Sequence, residues 1–158
     1  MKFDELIDEP CSISRALSVL GDRWTLVVLK QAFAGTRRFE EFQSSIGISR
    51  GRLADRLARL VSLELLEQVE YFDNRTRNEY RLTEKGIDAY PILLALRDWG
   101  DAHLSPNGPP LSYQHRDCGG NVEVEIRCVN CGDRVTARDV VVGIGPGFNA
   151  RKSNRSRK

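Results

Sequence analysis

Between Phe39 and Leu82 the apolar positions change period, and the changes mark out the elements. Phe39, Phe42 and Ile46 recur at i, i+3 and i+7, one face of a short helix. Gly47 supplies the left-handed residue that ends it. Ser49 stands where an N-cap belongs, and Leu53, Leu57, Leu60 and Val61 predict the buried stripe of a second helix. Arg50, Arg52, Asp55, Arg56 and Arg59 then point away from that stripe. After Leu65 the period falls to two, with Val69 and Tyr71 alternating with Gln68 and Glu70. Residues Asp73 to Arg77 read as a turn, and Tyr80 and Leu82 share one face of a return strand. Helix, Gly turn, basic helix and basic-tipped hairpin, in that order, predict a winged helix-turn-helix.

The flanks are helical by the same reasoning. Ser12 is expected to cap a helix carrying Ile13, Ala16, Leu17 and Leu20, stopped by Gly21. Asp22 caps the next, whose body from Trp24 to Leu29 is apolar nearly all round and is expected in the core; Gly35 ends it. Thr83 opens a further helix with Glu84 in its first turn, and Pro91 should kink or restart it. Tyr90, Ile92, Leu93, Leu94, Leu96 and Trp99 occupy more than one face of that helix. One core covers one face, so the surplus predicts a second burial surface, most simply the same helix of another copy in a homodimer. The alternative is that the extra residues cover the first two helices. His103 falls on the stripe of Ile92, Leu96 and Trp99 and reads as a packed or capping histidine.

Ser105 to Pro110 is a linker by composition. The expected organisation is a DNA-binding and dimerisation domain at 1–104, a linker at 105–112, an extension at 113–148 and a basic, disordered tail at 149–158. The extension carries His115-Arg116-Asp117-Cys118-Gly119 and Cys128-Val129-Asn130-Cys131-Gly132, two copies of one pattern: ligand, two residues, Cys, Gly. Two-residue spacing turns both side chains toward one cation, and the Gly relieves the tight turn. His115, Cys118, Cys128 and Cys131 are therefore expected to hold structural Zn²⁺, with no position left open for chemistry. Val122, Val124 and Ile126 alternate with Glu123 and Glu125, which predicts a strand between the two turns. Free thiols or a labile Cys128–Cys131 disulfide are the competing readings. The fold class is α+β, mainly α: a winged helix-turn-helix with flanking dimerisation helices and a small zinc ribbon-like β extension. The run Gly143 to Gly147 is read as a plain loop, since no helix pattern follows it.

Composition changes little in this picture. A chain of 158 residues, 41% hydrophobic and 29% charged, holds one core and a small appendage. It has no apolar run near the ~20 residues of a membrane span and no signal-peptide core, so a cytoplasmic protein off the membrane is expected. The net charge of +2 becomes −3 once Arg151, Lys152, Arg155, Arg157 and Lys158 are set aside, so placement of charge matters more than its total. With two histidines and no paired acid/base or nucleophile constellation, the chain is not expected to be an enzyme.

Several segments together resemble the HxlR family of bacterial winged-helix transcription regulators. They are Cys11-Ser12-Ile13, Gly21-Asp22-Arg23-Trp24-Thr25-Leu26, Arg38-Phe39-Glu40-Glu41-Phe42, Ile46-Gly47-Ile48-Ser49, and Glu79-Tyr80-Arg81-Leu82-Thr83-Glu84-Lys85-Gly86. The likeness covers about residues 10–104 and leaves the extension unexplained. It implies a homodimer, joined through N- and C-terminal helices, that represses or activates nearby genes. It also implies a role for Cys11, since some relatives sense oxidants or electrophiles with a cysteine at this position. Arg15, four residues on, is expected to lower its pKa; the plainer reading is a small buried hydrophobe.

On this scheme Arg50, Arg52 and Arg56 project from the first two turns of the recognition helix into the major groove of double-stranded DNA, where Arg pairs with guanine O6 and N7. Ser49 caps that helix and Gly51 permits close approach. Arg59 is expected to meet phosphate or an acid, and Arg75 and Arg77 to reach backbone or the minor groove. The function expected is sequence-specific regulation by a homodimer on a pseudo-palindromic operator, responsive to oxidants or electrophiles. The alternative is a winged-helix and zinc-ribbon protein-interaction module with weak nonspecific DNA binding.

Overall fold

The computed structural model describes residues 3–149 apart from Asn74, and the side chains of residues 6–72 and 76–148. After a 3-10 turn at Phe3–Asp8 come α1 (Ser12–Leu20), α2 (Arg23–Phe33), α3 (Phe39–Ile46) and α4 (Arg50–Ser62). The hairpin β1 (Leu66–Asp73) and β2 (Arg75–Leu82) follows, then α5 (Glu84–Ile87), α6 (Tyr90–Leu104) and the single turn α7 (Pro146–Asn149). The described residues are thus mainly helical, with one two-stranded antiparallel sheet among them.

The helix boundaries fall where local chemistry puts them. Gly47 closes α3 at φ 71°, a left-handed conformation a side chain would resist. Asp22 caps α2 by accepting from the Trp24 N–H at 2.9 Å. At α1 the N-cap is Cys11, not Ser12, which is already helical. Ser49 occupies the N-cap of α4 in extended geometry, but its hydroxyl makes no cap bond. The Glu41 carboxylate accepts from the N–H groups of Arg38 and Arg37 at 3.1 and 3.3 Å, which holds its pKa below the ordinary value. Pro91 restarts the chain as α6 instead of kinking it: α5 ends at Ile87 and α6 opens one residue before the proline.

The first unit has its core among α2, α3, α4 and the hairpin base. Val28, Leu29, Phe42, Leu53, Leu57, Leu60 and Leu66 are fully buried, with Ile48 and Leu65 close behind. Within α2 only Thr25, Val28 and Leu29 are buried; Trp24, Leu26 and Val27 stay half-exposed, so the helix is less enclosed than its apolar run predicts. The hairpin pairs Leu66 with Leu82 and Gln68 with Tyr80, and pairing continues to Asp73 and Arg75. The expected turn from Asp73 to Arg77 is therefore mostly strand, because the ladder goes on satisfying backbone groups to the end. The Tyr80 N–H also donates to the Arg37 carbonyl at 2.8 Å, and Arg38 bridges Glu79, so the residues entering α3 add a short third rung.

The base of the hairpin is closed by Thr83 and Gly86. Thr83 Oγ1 donates to the Glu64 carbonyl at 2.5 Å and accepts from the Gly86 N–H at 3.1 Å. A Cβ on Gly86 would collide with the Leu65 carbonyl oxygen, so only glycine lets α5 press against that backbone.

Compaction divides the chain at Pro91, whereas composition places a linker at 105–112. One unit runs to Tyr90 and takes in the segment from Pro146; the other spans Pro91–Gly145. In the second unit α6 is bound to the extension. Arg97 Nη2 donates to the Val122 carbonyl at 2.7 Å, the Val124 N–H donates to Asp98 Oδ2 at 3.0 Å, and the Arg97 guanidinium lies over the Tyr113 ring. Arg97 and Asp98 are themselves ion-paired. Among the described residues the extension forms only isolated bridges, so Val122–Ile126 is not the strand expected. The Val122 carbonyl and the Val124 amide bond to α6 side chains in place of a neighbouring strand. Contrary to expectation, a single helical turn, α7, does follow Gly145.

Candidate nucleic-acid interface

The core stripe of α4 fixes which of its other residues face outward. With Leu53, Leu57 and Leu60 buried, Arg50, Gly51, Arg52 and Asp55 are exposed. The αL turn at Gly47 and the buried Ile48 aim the N-terminus of α4 away from the core. Arg50 is steadied by the Phe39 ring, 4.8 Å from its guanidinium carbon, so its charge is held outward on an aromatic shelf. Gly51 has nothing within 4 Å of where a Cβ would stand, which leaves room for a close approach.

The other arginines of α4 have partners inside the protein. Arg56 Nη2 lies 3.3 Å from Asp22 Oδ2, so Asp22 caps α2 with one oxygen and anchors α4 with the other. Arg59 Nη2 donates to the Ser18 carbonyl at 3.1 Å. Both side chains are half-buried. They hold the recognition helix against the α1–α2 corner, while Ser49, Arg50, Gly51 and Arg52 form its outward first turn. Arg77 stands in β2 opposite Tyr71 and is half-buried, with a buried Nε that finds no hydrogen-bond partner among the described residues. The Arg75 side chain lies outside the described residues.

Arg38 is the cation that periodicity does not single out. It is exposed, enters α3 beside Phe39, bridges Glu79 of the hairpin, and lies 5.0 Å over the Tyr71 ring. Arg38 and Arg50 thus frame Phe39 from either side in sequence. The available signal was the Arg37-Arg38 doublet just before the first helix-turn-helix residue.

Cys11 is exposed, not buried. Its thiol pKa is lowered, chiefly by the Ser14 N–H, then by the Ser14 hydroxyl and the Ile13 N–H. The expected influence of Arg15 is replaced by these hydrogen bonds at the start of α1. His103 is exposed, its ring 5.1 Å from that of Trp99.

In the extension the structure forms the ligand candidates as two pairs. His115 Nδ1 is 3.3 Å from Cys118 Sγ, and the Cys128 and Cys131 side chains are hydrogen-bonded. Hydrogen bonds from the Cys131 and Asn130 N–H groups to its sulfur lower the Cys128 pKa. Among the described residues no three His, Cys, Asp or Glu side chains gather where they could hold a metal ion.

An αL glycine turn feeding an outward-facing basic helix, with a paired wing after it, defines a winged helix-turn-helix protein of the DNA-binding class. The chain matches the HxlR-like helix-turn-helix family over residues 19–108 and belongs to it. An uncharacterized HTH-type transcriptional regulator of Mycobacterium tuberculosis is 43% identical over 141 residues, 89% of each chain. The crystal structure of PA1607, a proposed transcription factor, is similar with a TM-score of 0.81 and 33% identity, over 88% of this chain and 98% of that one. The reduced form of the transcriptional regulator YodB from Bacillus subtilis is similar with a TM-score of 0.53 and 30% identity, over 60% and 94%. The protein is a transcriptional regulator of the winged-helix type, not an enzyme. Among the described residues no helix is long and apolar enough to cross a membrane.

Proposed function

We propose that this regulator works as a homodimer on a pseudo-palindromic operator, reading bases through the first turn of α4. The carrying observation is that Arg50 and Arg52 are exposed on a helix whose opposite face is wholly buried. Two copies of that turn would enter successive major grooves roughly 34–36 Å apart. Arg38 adds a phosphate contact beside α3, and Arg56 and Arg59 hold the helix instead of reading the groove. Support for the dimer comes from the apolar residues left exposed on α1 (Ile13, Leu17) and on α6 (Ile92, Leu96, Trp99, Leu104).

Cys11 is the proposed sensor of oxidants or electrophiles. It is exposed and its thiolate is favoured by Ser14; YodB, a relative, has been solved both reduced and diamide-treated. Diamide treatment should change the operator affinity of the wild type and leave Cys11→Ser unchanged; equal responses remove the sensor.

Footprinting on the DNA upstream of its own gene, followed by a salt titration, tests the reading. Two dimer-related copies of Arg38 on phosphate contribute about −2 to the slope of log K against log salt, and any further phosphate contact steepens it. A flat, weak dependence together with a captured protein partner would favour the protein-interaction module instead.

A further inference from the structure

The second unit contains two turns with the same construction, bond for bond. In the first, the His115 N–H donates to the Gly120 carbonyl (2.8 Å), the Gly119 N–H to His115 (2.8 Å) and the Val122 N–H to Tyr113 (2.9 Å). In the second, the Cys128 N–H donates to Asp133 (2.9 Å), the Gly132 N–H to Cys128 (2.9 Å) and the Val135 N–H to Ile126 (3.0 Å). Each neck is closed by one bridge, Gln114 with Asn121 and Arg127 with Arg134. Gly119 and Gly132 are both left-handed, at φ 70° and 77°. Each turn therefore presents the side chains of its first and fourth residues together: His115 with Cys118, and Cys128 with Cys131.

The surroundings of these pairs suit a cation. The Gly120 N–H donates to Cys118 Sγ at 3.4 Å, and the Asn130 and Cys131 N–H groups donate to Cys128 Sγ. Such N–H···S bonds offset the charge of metal-bound thiolates. His115 turns Nδ1 toward the Cys118 sulfur at 3.3 Å, and its Nε2 lies 3.9 Å from Asp117 Oδ2, too far for a hydrogen bond but close enough for the carboxylate to favour positive charge at the site. No side chain from Leu111 to Phe148 is buried. The extension thus has two well-built turns and no apolar core of its own to hold them together, the situation in which small folds use a metal as a staple.

We propose that His115, Cys118, Cys128 and Cys131 of a single chain bind one Zn²⁺ in a tetrahedral His-Cys₃ site, the two turns closing on the ion. Three soft thiolates and an imidazole select zinc over the hard cations, and four protein ligands make the site structural. The ion must draw the two pairs together, since three donors do not meet among the described residues. Through Val122 and Val124, which lie between the turns, the closed site is fastened to Arg97 and Asp98 of α6.

The test uses the untagged full-length chain, purified under reducing conditions. Elemental analysis should find close to one zinc per chain. Co²⁺ added to chelator-treated protein should give the intense visible bands of tetrahedral cobalt with thiolate charge transfer in the near ultraviolet, and Zn²⁺ should bleach them. Cys131→Ser, which removes one of the four ligands, should weaken Co²⁺ binding by more than about 100-fold, the upper end of what loss of an outer-shell partner costs. Circular dichroism and duplex binding, which depends on residues 38–82, report whether the variant is folded. No stoichiometric metal, pale octahedral cobalt spectra, or one ion per two chains would each overturn the proposal, and none of these touches the DNA-binding reading.

Discussion

Gly86 illustrates how one missing side chain shapes the surface beside it. The α5 turn packs against the Leu65 carbonyl at a distance no Cβ tolerates. Gly86→Ala should therefore destabilise the fold by about 1–3 kcal/mol, the usual cost of forced overpacking, read as a lowered urea midpoint at unchanged slope. Cys11 shows the same economy in its chemistry. Its thiolate is favoured by the Ser14 N–H and hydroxyl, so removing the hydroxyl should raise the pKa toward that of an ordinary thiol. The sign follows directly: a lowered pKa means more thiolate at neutral pH, so Ser14→Ala should slow alkylation of Cys11 by iodoacetamide at pH 7. The two proteins should converge above the ordinary thiol pKa, where both are fully ionised. Equal rates at pH 7 would show that Ser14 does not tune the sulfur.

At the scale of the element, α4 holds its arginines in two settings that look alike in the sequence, and the proposed reading gives each setting its own task. Arg52 is exposed, whereas Arg56 is paired with Asp22 at 3.3 Å. Arg52→Ala should leave stability within about 0.5 kcal/mol of wild type while costing roughly 1–3 kcal/mol of operator affinity. Arg56→Ala should do the reverse, lowering stability by up to about 1 kcal/mol, the value of a partly exposed ion pair, with a smaller loss of affinity. Thermal melts and fluorescence anisotropy on the same preparations separate the two. If Arg56→Ala is the more damaging to specific binding, the division of labour is wrong.

The helix pattern was legible because burial imposes a period: Leu53, Leu57 and Leu60 had to share a face, and Gly47 had to end the helix before them. The fate of Arg56 and Arg59 was not legible. Their partners, Asp22 and the Ser18 carbonyl, are 34 and 41 residues away in sequence, and no local rule connects such positions. The Val122–Ile126 segment failed for the related reason that alternation predicts a strand only where another strand is available to pair with it. Here α6 side chains take the backbone groups instead.

For the whole molecule the informative residues are the apolar ones left outside. Leu96 and Trp99 are 49% and 58% exposed on α6, where only Leu94 is buried. A second copy is the proposed cover. Trp99→Lys should shift the chain toward monomer in sedimentation at micromolar concentration and weaken operator binding with it, since one recognition helix cannot span two half-sites. A dimer as tight as wild type would place the interface elsewhere.

Residue periodicity, capping chemistry and turn glycines determined the helix-turn-helix, the wing and the twin turns of the extension, because each of these is enforced by neighbours within a few positions. Tertiary structure alone decided which charges are spent inside the protein, that Arg38 lies over the wing's Tyr71, and that Arg97 and Asp98 bind the extension to α6. Those outcomes depend on which distant groups are brought within hydrogen-bonding distance, and spacing along a chain carries no record of that.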